Sequence, residues 1–163
     1  MKQLYLIRHA KSSWSDAMLS DFDRPLNKRG LKDAPKMGQC MLQQNIKPDL
    51  IISSPANRAY TTASIIAHEI SYPNAKIKKI DDLYLADIAT FFSTVKGTPN
   101  NINNLALFSH NGGISDFANI LSPVKIDNMP TCSIFAIRFN INSWDDIDNN
   151  IGEFMFFKTP KQL

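Results

Sequence analysis

Three short, unbroken apolar runs constrain this chain more than any other feature: Leu4-Tyr5-Leu6-Ile7, Leu50-Ile51-Ile52 and Leu105-Ala106-Leu107-Phe108. Runs of this length without polar alternation read as strands covered on both faces of a parallel sheet. Residues 76–80 give a weaker strand signal through Ile77 and Ile80. Residues 132–139 and 152–157 are rich in β-branched and aromatic side chains and predict two later strands. Helical spacing fills the intervals. Residues 27–44 carry Leu31, Met37, Met41 and Leu42, with Asn27 as N-cap. Pro35 is expected to kink that helix or to mark a restart capped by Asp33. Residues 57–70 carry Thr62, Ile65, Ile66 and Ile70; residues 87–95 carry Ile88, Phe91, Phe92 and Val95. Residues 113–121 carry Ile114, Phe117, Ala118 and Leu121. Residues 98–104 and 140–150 are polar and read as loops. Strands alternating with helices predict an α/β fold, a parallel or mixed sheet with helices on both faces.

Composition narrows the class. At 163 residues, 44% hydrophobic, the chain is long enough for one good core, and a net charge of +3 is too small for a disordered polyion. No apolar run approaches the roughly 20 residues of a bilayer-crossing helix, and no membrane association is expected. The four apolar residues after Gln3 are cut off at once by Arg8-His9-Ala10-Lys11, so a secretory signal is not expected either. Cys40 and Cys132 lie far apart and show no metal spacing. A disulfide framework is not indicated, which points to a reducing, cytoplasmic compartment. The excess of 18 Lys+Arg over 15 Asp+Glu suits a small anion and is too slight to argue for nucleic acid.

Ligands of such sheets sit at the carboxyl ends of the strands. There the chain places Arg8-His9, then Ser53-Ser54-Pro55 with Arg58 near the next helix start, then Ser109-His110-Asn111-Gly112-Gly113. If those strands are neighbours, two arginines and two histidines share one crevice. Guanidinium forks match phosphate oxygens bidentately, and helix N-termini add N–H donors. The spacing therefore suggests a phosphate pocket containing histidine. Each piece also has a plainer reading. Arg8-His9 suits an ordinary polar strand end, His110-Asn111-Gly112-Gly113 suits a turn, and His68 suits a helix surface. A zinc site would need a third ligand at motif spacing beside His9 and His110, and none is present.

The same residues resemble the histidine phosphatase superfamily. Leu6-Ile7-Arg8-His9-Ala10 is similar to its Arg-His-Gly signature, with alanine for glycine. Asp23-Arg24-Pro25-Leu26-Asn27 resembles its Asp-x-Pro-Leu-Thr segment. Ser53-Ser54-Pro55-Ala56-Asn57-Arg58-Ala59 resembles its Ser-Ser-Pro-x-x-Arg-Ala block, and Ser109-His110-Asn111-Gly112 its second-histidine block. Four blocks in order over residues 5–118 make a specific match. The short chain and the Arg-His-Ala-Lys-Ser-Ser-Trp run look most like the small SixA-type phosphohistidine phosphatases.

The resemblance implies a three-layer α/β/α fold with a mostly parallel mixed sheet, phosphoglycerate mutase-like, as one domain over residues 1–163 without a large cap insertion. It implies His9 as the phosphoryl-accepting nucleophile and Arg8, Arg58 and His110 as the clamp on its oxygens. Ser15 and Asn111 are further phosphate-binding expectations, although Ser15 stands where the family's sugar-phosphate mutases have asparagine. No cofactor or metal is expected. Phosphate, sulfate and vanadate are expected to inhibit. Family members acting on phosphate monoesters usually place a glutamate proton donor in a Leu-x-Glu segment. Here Leu83-Tyr84-Leu85 puts leucine there, leaving Asp82 or Asp87 as candidate substitutes. The expected substrate is phosphohistidine on a protein. The alternatives are small phosphate esters or phosphoanhydrides, or a non-catalytic module that binds a phosphorylated ligand.

Overall fold

The computed structural model describes residues 1–163. Six strands form one sheet: β1 (Lys2–Arg8), β2 (Leu50–Ser53), β3 (Lys78–Lys79), β4 (Asn104–Ser109), β5 (Ile134–Phe139) and β6 (Glu153–Lys158). Their spatial order is β3-β2-β4-β1-β5-β6. The pairs β2–β3, β2–β4 and β1–β4 are parallel, while β5 is antiparallel to β1 and β6 to β5. Four helices complete the chain: α1 (Lys28–Gln43), α2 (Asn57–Glu69), α3 (Ile88–Lys96) and α4 (Gly113–Leu121). None is long and apolar enough to cross a membrane.

Alternation along the central strands divides the core in two. Tyr5 and Ile7 of β1, with Ala106 and Phe108 of β4, pack against Met37 and Met41 of α1 and Ile66 of α2. Leu4, Leu6, Leu105 and Leu107 point the other way, to Phe91 and Val95 of α3 and Phe117 and Leu121 of α4. This is the three-layer α/β/α arrangement with a mostly parallel mixed sheet. Both faces of β1 and β4 are covered, which is why their sequences are unbroken apolar runs.

Helix α1 keeps its expected cap and shows no restart at Pro35, while Asp33, Leu31 and Leu42 depart from expectation. It is uninterrupted through Pro35, and Asn27 is its cap, accepting from Gly30 N at 2.9 Å. Asp33 caps nothing; its carboxylate lies 3.5 Å from Arg29 Nε. Proline leaves the carbonyl of Leu31 without its helical donor, and Leu31 is 52% exposed, so water is at hand there. Leu31 and Leu42, expected on the buried face, lie outside.

The chain leaves β1 through α1 toward β2 and leaves β4 through α4 toward β5, on opposite sides. Neighbouring strands whose connections diverge leave a crevice at their carboxyl ends. Two glycines hold its walls. A Cβ on Gly30 would lie 2.2 Å from Lys11 O, so α1 rests directly on the segment after β1. A Cβ on Gly113 would lie 2.1 Å from Ala86 O, so α4 starts against the segment before α3.

Candidate active site

Arg8 ends β1, and its backbone N–H donates to Ser133 O at 3.2 Å. His9 follows, donating its own N–H to Ser109 O at 3.1 Å. Cys132 N–H donates to the carbonyls of both Arg8 and His9, so the strand end is pinned from two sides. Arg58 lies in the first turn of α2 and His110 directly after β4. The structure brings all four together with Lys11, Ser12, Trp14, Arg24, Leu85, Asn111 and Thr131 around a cavity of about 220 Å³.

The hydrogen bonds around His9 fix its tautomer. Its Nδ1 lies 2.7 Å from Ala10 O, and a carbonyl only accepts, so Nδ1 carries the proton. The lone pair is then on Nε2, where Arg58 Nε donates to it at 3.4 Å. Burial, helped by the cations Arg58, Arg8 and Arg24, pulls the His9 pKa down to about 4. The imidazole is therefore neutral at pH 7.

His110 packs its ring 5.2 Å from that of His9 and 5.5 Å from that of Tyr84. Its Nε2 is hydrogen-bonded to Ser54 Oγ at 2.7 Å, while Nδ1 is buried without a partner. Burial first, then His9 and Arg58, depress its pKa to about 3. Arg8 donates through Nη1 to Met129 O at 2.7 Å, and its Nε is buried without a partner. Burial and the nearby Arg58 lower the Arg8 pKa. Two neutral imidazoles and the cations Arg8, Arg24 and Arg58 thus converge with unspent hydrogen-bonding capacity, the arrangement an oxyanion requires.

Of the remaining expected residues, Asn111 joins the site, while Ser15, Asp82 and Asp87 fall elsewhere. Asn111 lines the cavity, and its side chain bonds to Asn128 and Ser115. Ser15 lies outside it, exposed and bonded to Ser13 Oγ at 2.8 Å; Ser12 is the serine that lines the wall. Asp82 and Asp87 line a separate surface cleft of about 450 Å³ with Lys78 and the hydroxyl side chains of α3. Asp87 accepts from Thr90 N at 2.9 Å as the cap of α3, and that bond lowers its pKa. No three His, Cys, Asp or Glu side chains gather closely enough to hold a metal ion.

Three residues with no assigned sequence role also belong to the site. Arg24 lies over the Trp14 ring at 3.4 Å and donates to Ser12 Oγ at 2.8 Å. Asp21 accepts from Arg58, Arg24 and Tyr84. The Asp23-Arg24-Pro25 block pointed to Arg24; only proximity to that block could have pointed to Asp21, and nothing local pointed to Tyr84.

Residues 4–91 match the sequence model of the histidine phosphatase superfamily, branch 1. The chain belongs to that superfamily. An uncharacterised chloroplastic protein of Arabidopsis thaliana is 31% identical over 158 residues, covering 89% of this chain and 70% of that one. An uncharacterised protein of Mycobacterium tuberculosis is 26% identical over 95% of this chain and all of its own. Among solved structures, the protein histidine phosphatase SixA complexed with tungstate has the same fold, with a TM-score of 0.83 at 19% identity over 98% of each chain. The histidine phosphatase resemblance carried by the four sequence blocks holds, and so does the phosphoglycerate mutase-like fold it implied.

Proposed function

We propose that this histidine phosphatase superfamily member is a phosphatase that passes the phosphoryl group through His9 Nε2, and that its substrate is phosphohistidine borne on a protein. The observation that carries the reading is the His9 tautomer: Nδ1 committed to Ala10 O, Nε2 unprotonated beside Arg58. Nε2 attacks phosphorus, the bond to the leaving group breaks, and water then attacks the phosphohistidine to release phosphate and the neutral ring. Charge spreads over three equatorial oxygens, so the work of the site is positioning and charge stabilisation. Arg8 and Arg58 supply the charge, and the unpartnered Nδ1 of His110 is the atom left to meet a phosphoryl oxygen. The reaction is proposed to need no metal, so a chelator should leave the rate unchanged.

The leaving group follows from what lines the cavity. Its wall contains no carboxyl group, and Leu85, which the resemblance aligns with the family's glutamate donor, lines it. An alkoxide, whose conjugate acid has a pKa on the order of that of water, about 15.7, needs such a donor. Phosphohistidine does not, because its second ring nitrogen takes a proton from solvent and the imidazole leaves neutral. Aryl phosphates lie between, with phenol pKa values near 10. Access points the same way. Only a 3-10 turn, α3 and short loops separate β3 from β4, and Trp14 and Leu85, 73% and 68% exposed, stand at an open mouth. The tungstate held by the SixA structure supports competition by phosphate-like anions here. The test is kcat/KM for a phosphohistidine protein, an aryl phosphate and phosphoserine, in wild type, Asp82→Asn and Asp87→Asn. The expected order is phosphohistidine, then aryl, then alkyl, unchanged in both variants. An alkyl phosphate as best substrate, lost selectively in one variant, would overturn the substrate assignment.

A further inference from the structure

Asp21 reaches the buried site from the surface. It lies in a 3-10 turn, Asp21–Asp23, within the connection from β1 to α1, and its side chain is 43% exposed. Its arginine partners, Arg24 and Arg58, are buried, and Tyr84 is half-buried. Oδ2 accepts from Arg58 Nη2 at 3.0 Å and from the Tyr84 hydroxyl at 2.6 Å. Oδ1 accepts from Arg24 Nε at 3.2 Å and Nη2 at 3.1 Å. The main-chain carbonyl accepts from Arg58 Nη1 at 2.6 Å. The turn is itself held, with Asn57 Nδ2 donating to Asp23 O at 3.0 Å and Ser20 Oγ donating to Asp23 Oδ2 at 2.9 Å.

The division of the Arg58 fork is informative. Asp21 takes one hydrogen from each terminal nitrogen, and Nε is directed at His9 Nε2. A planar guanidinium gripped along one edge presents a fixed second edge. We infer that Asp21 is a positioning residue of this site: it orients Arg58 so that its Nε edge faces a phosphoryl group on His9, and it ties Arg24 into the same array. This rests on the phosphatase reading above. The rival role for a carboxylate on a phosphate-binding arginine is that of a competing anion. A competitor would occupy the edge that faces the nucleophile, and Asp21 occupies the other. Removing its charge would favour an incoming anion, but that gain is screened at an exposed carboxylate, whereas a misdirected fork costs at the reacting centre.

The test is a double-mutant cycle between Asp21→Asn and Arg58→Lys, repeated with Tyr84→Phe in place of Asp21→Asn. Tyr84→Phe removes the 2.6 Å donor while keeping the carboxylate, and it serves if Asp21→Asn does not fold. Asp21→Asn should lower kcat roughly ten- to hundredfold, as small misplacements of reacting groups do, with a smaller change in KM. Tyr84→Phe should give a weaker loss of the same kind. In the Arg58→Lys background, which has no fork to orient, each loss should shrink to about twofold, because residues acting through one another are not additive. Equal losses in both backgrounds, or a variant as fast as wild type or faster, would overturn the inference. If wild type turns over no phosphorylated compound, the phosphatase reading alone fails. The cycle is then read as tungstate affinity by calorimetry. Weaker binding confined to the Arg58 background supports positioning, and tighter or unchanged binding overturns it.

Discussion

At Leu85 a single side chain carries the proposed leaving-group preference. The residue has φ 55°, a left-handed conformation that branched side chains seldom adopt, and it is 68% exposed at the cavity mouth. Such strain persists only where the surroundings over-determine it. Here Tyr84 on one side is bonded to Asp21, and Ala86 on the other is pressed against Gly113. A glutamate in that position has the same backbone cost and the same view of the cavity, and adds the carboxyl group that the wall lacks. General acid catalysis is worth about 10²–10⁴-fold when well placed. Leu85→Glu should therefore raise kcat/KM for an alkyl phosphate by at least about tenfold at mildly acidic pH, leaving phosphohistidine turnover within about threefold. Kinetics on phosphoserine peptide check this. No gain would show that something other than the absent donor limits alkyl substrates.

Elements make the site by meeting at close range. Helix α4 can start this close to the segment before α3 only because Gly113 has no Cβ, the neighbouring Ala86 carbonyl being backbone. Gly113→Ala should cost about 1–3 kcal/mol of stability by overpacking. It should also cut activity, since the strain is shared by the segment carrying His110 and the one carrying Leu85. Denaturant midpoints and kcat together check it, and an unchanged midpoint would contradict the close approach. How much was legible in sequence follows from the same geometry. The strands β1, β2 and β4 were readable because burial on two faces leaves an uninterrupted apolar run. Arg8, His9, Arg58 and His110 were readable because that topology sends the ends of those strands to one place. Asp21 and Tyr84 were not, because 37 and 63 residues of chain separate Asp21 from Arg58 and Tyr84 from Asp21, and no local period records such a pairing. The continuity of α1 through Pro35 was hidden for another reason: the carbonyl that loses its donor belongs to Leu31, an exposed residue, so the helix can run through the proline at low cost.

Across the whole molecule, the site's chemistry also sets the pH dependence of stability. His9 and His110 have pKa values held down to about 4 and 3, against 6.5 in an unfolded chain. Between those limits the unfolded chain binds more protons, so stability is full above pH 6.5 and falls as pH drops toward 3. Asp21, held near 2 chiefly by the Tyr84 hydroxyl, adds a further loss below about pH 4. The denaturation midpoint should be lower at pH 5 than at pH 7.5, and His9→Gln should reduce the difference. A midpoint that is equal or higher at pH 5 would contradict neutral buried histidines. Phosphate or vanadate at 100 times its Kd should add about 2.7 kcal/mol at pH 7.5. The most direct measurement addresses His9 itself. Wild type is mixed with substrate carrying a labelled phosphoryl group and quenched within one turnover, in base and in acid. Label should remain on the protein in base and be lost in acid, as for a phosphorus–nitrogen bond, and it should map to His9 Nε2. In His9→Ala, with an unchanged far-ultraviolet spectrum, both label and turnover should vanish. Full turnover in His9→Ala, or label that survives acid on another residue, would contradict the mechanism.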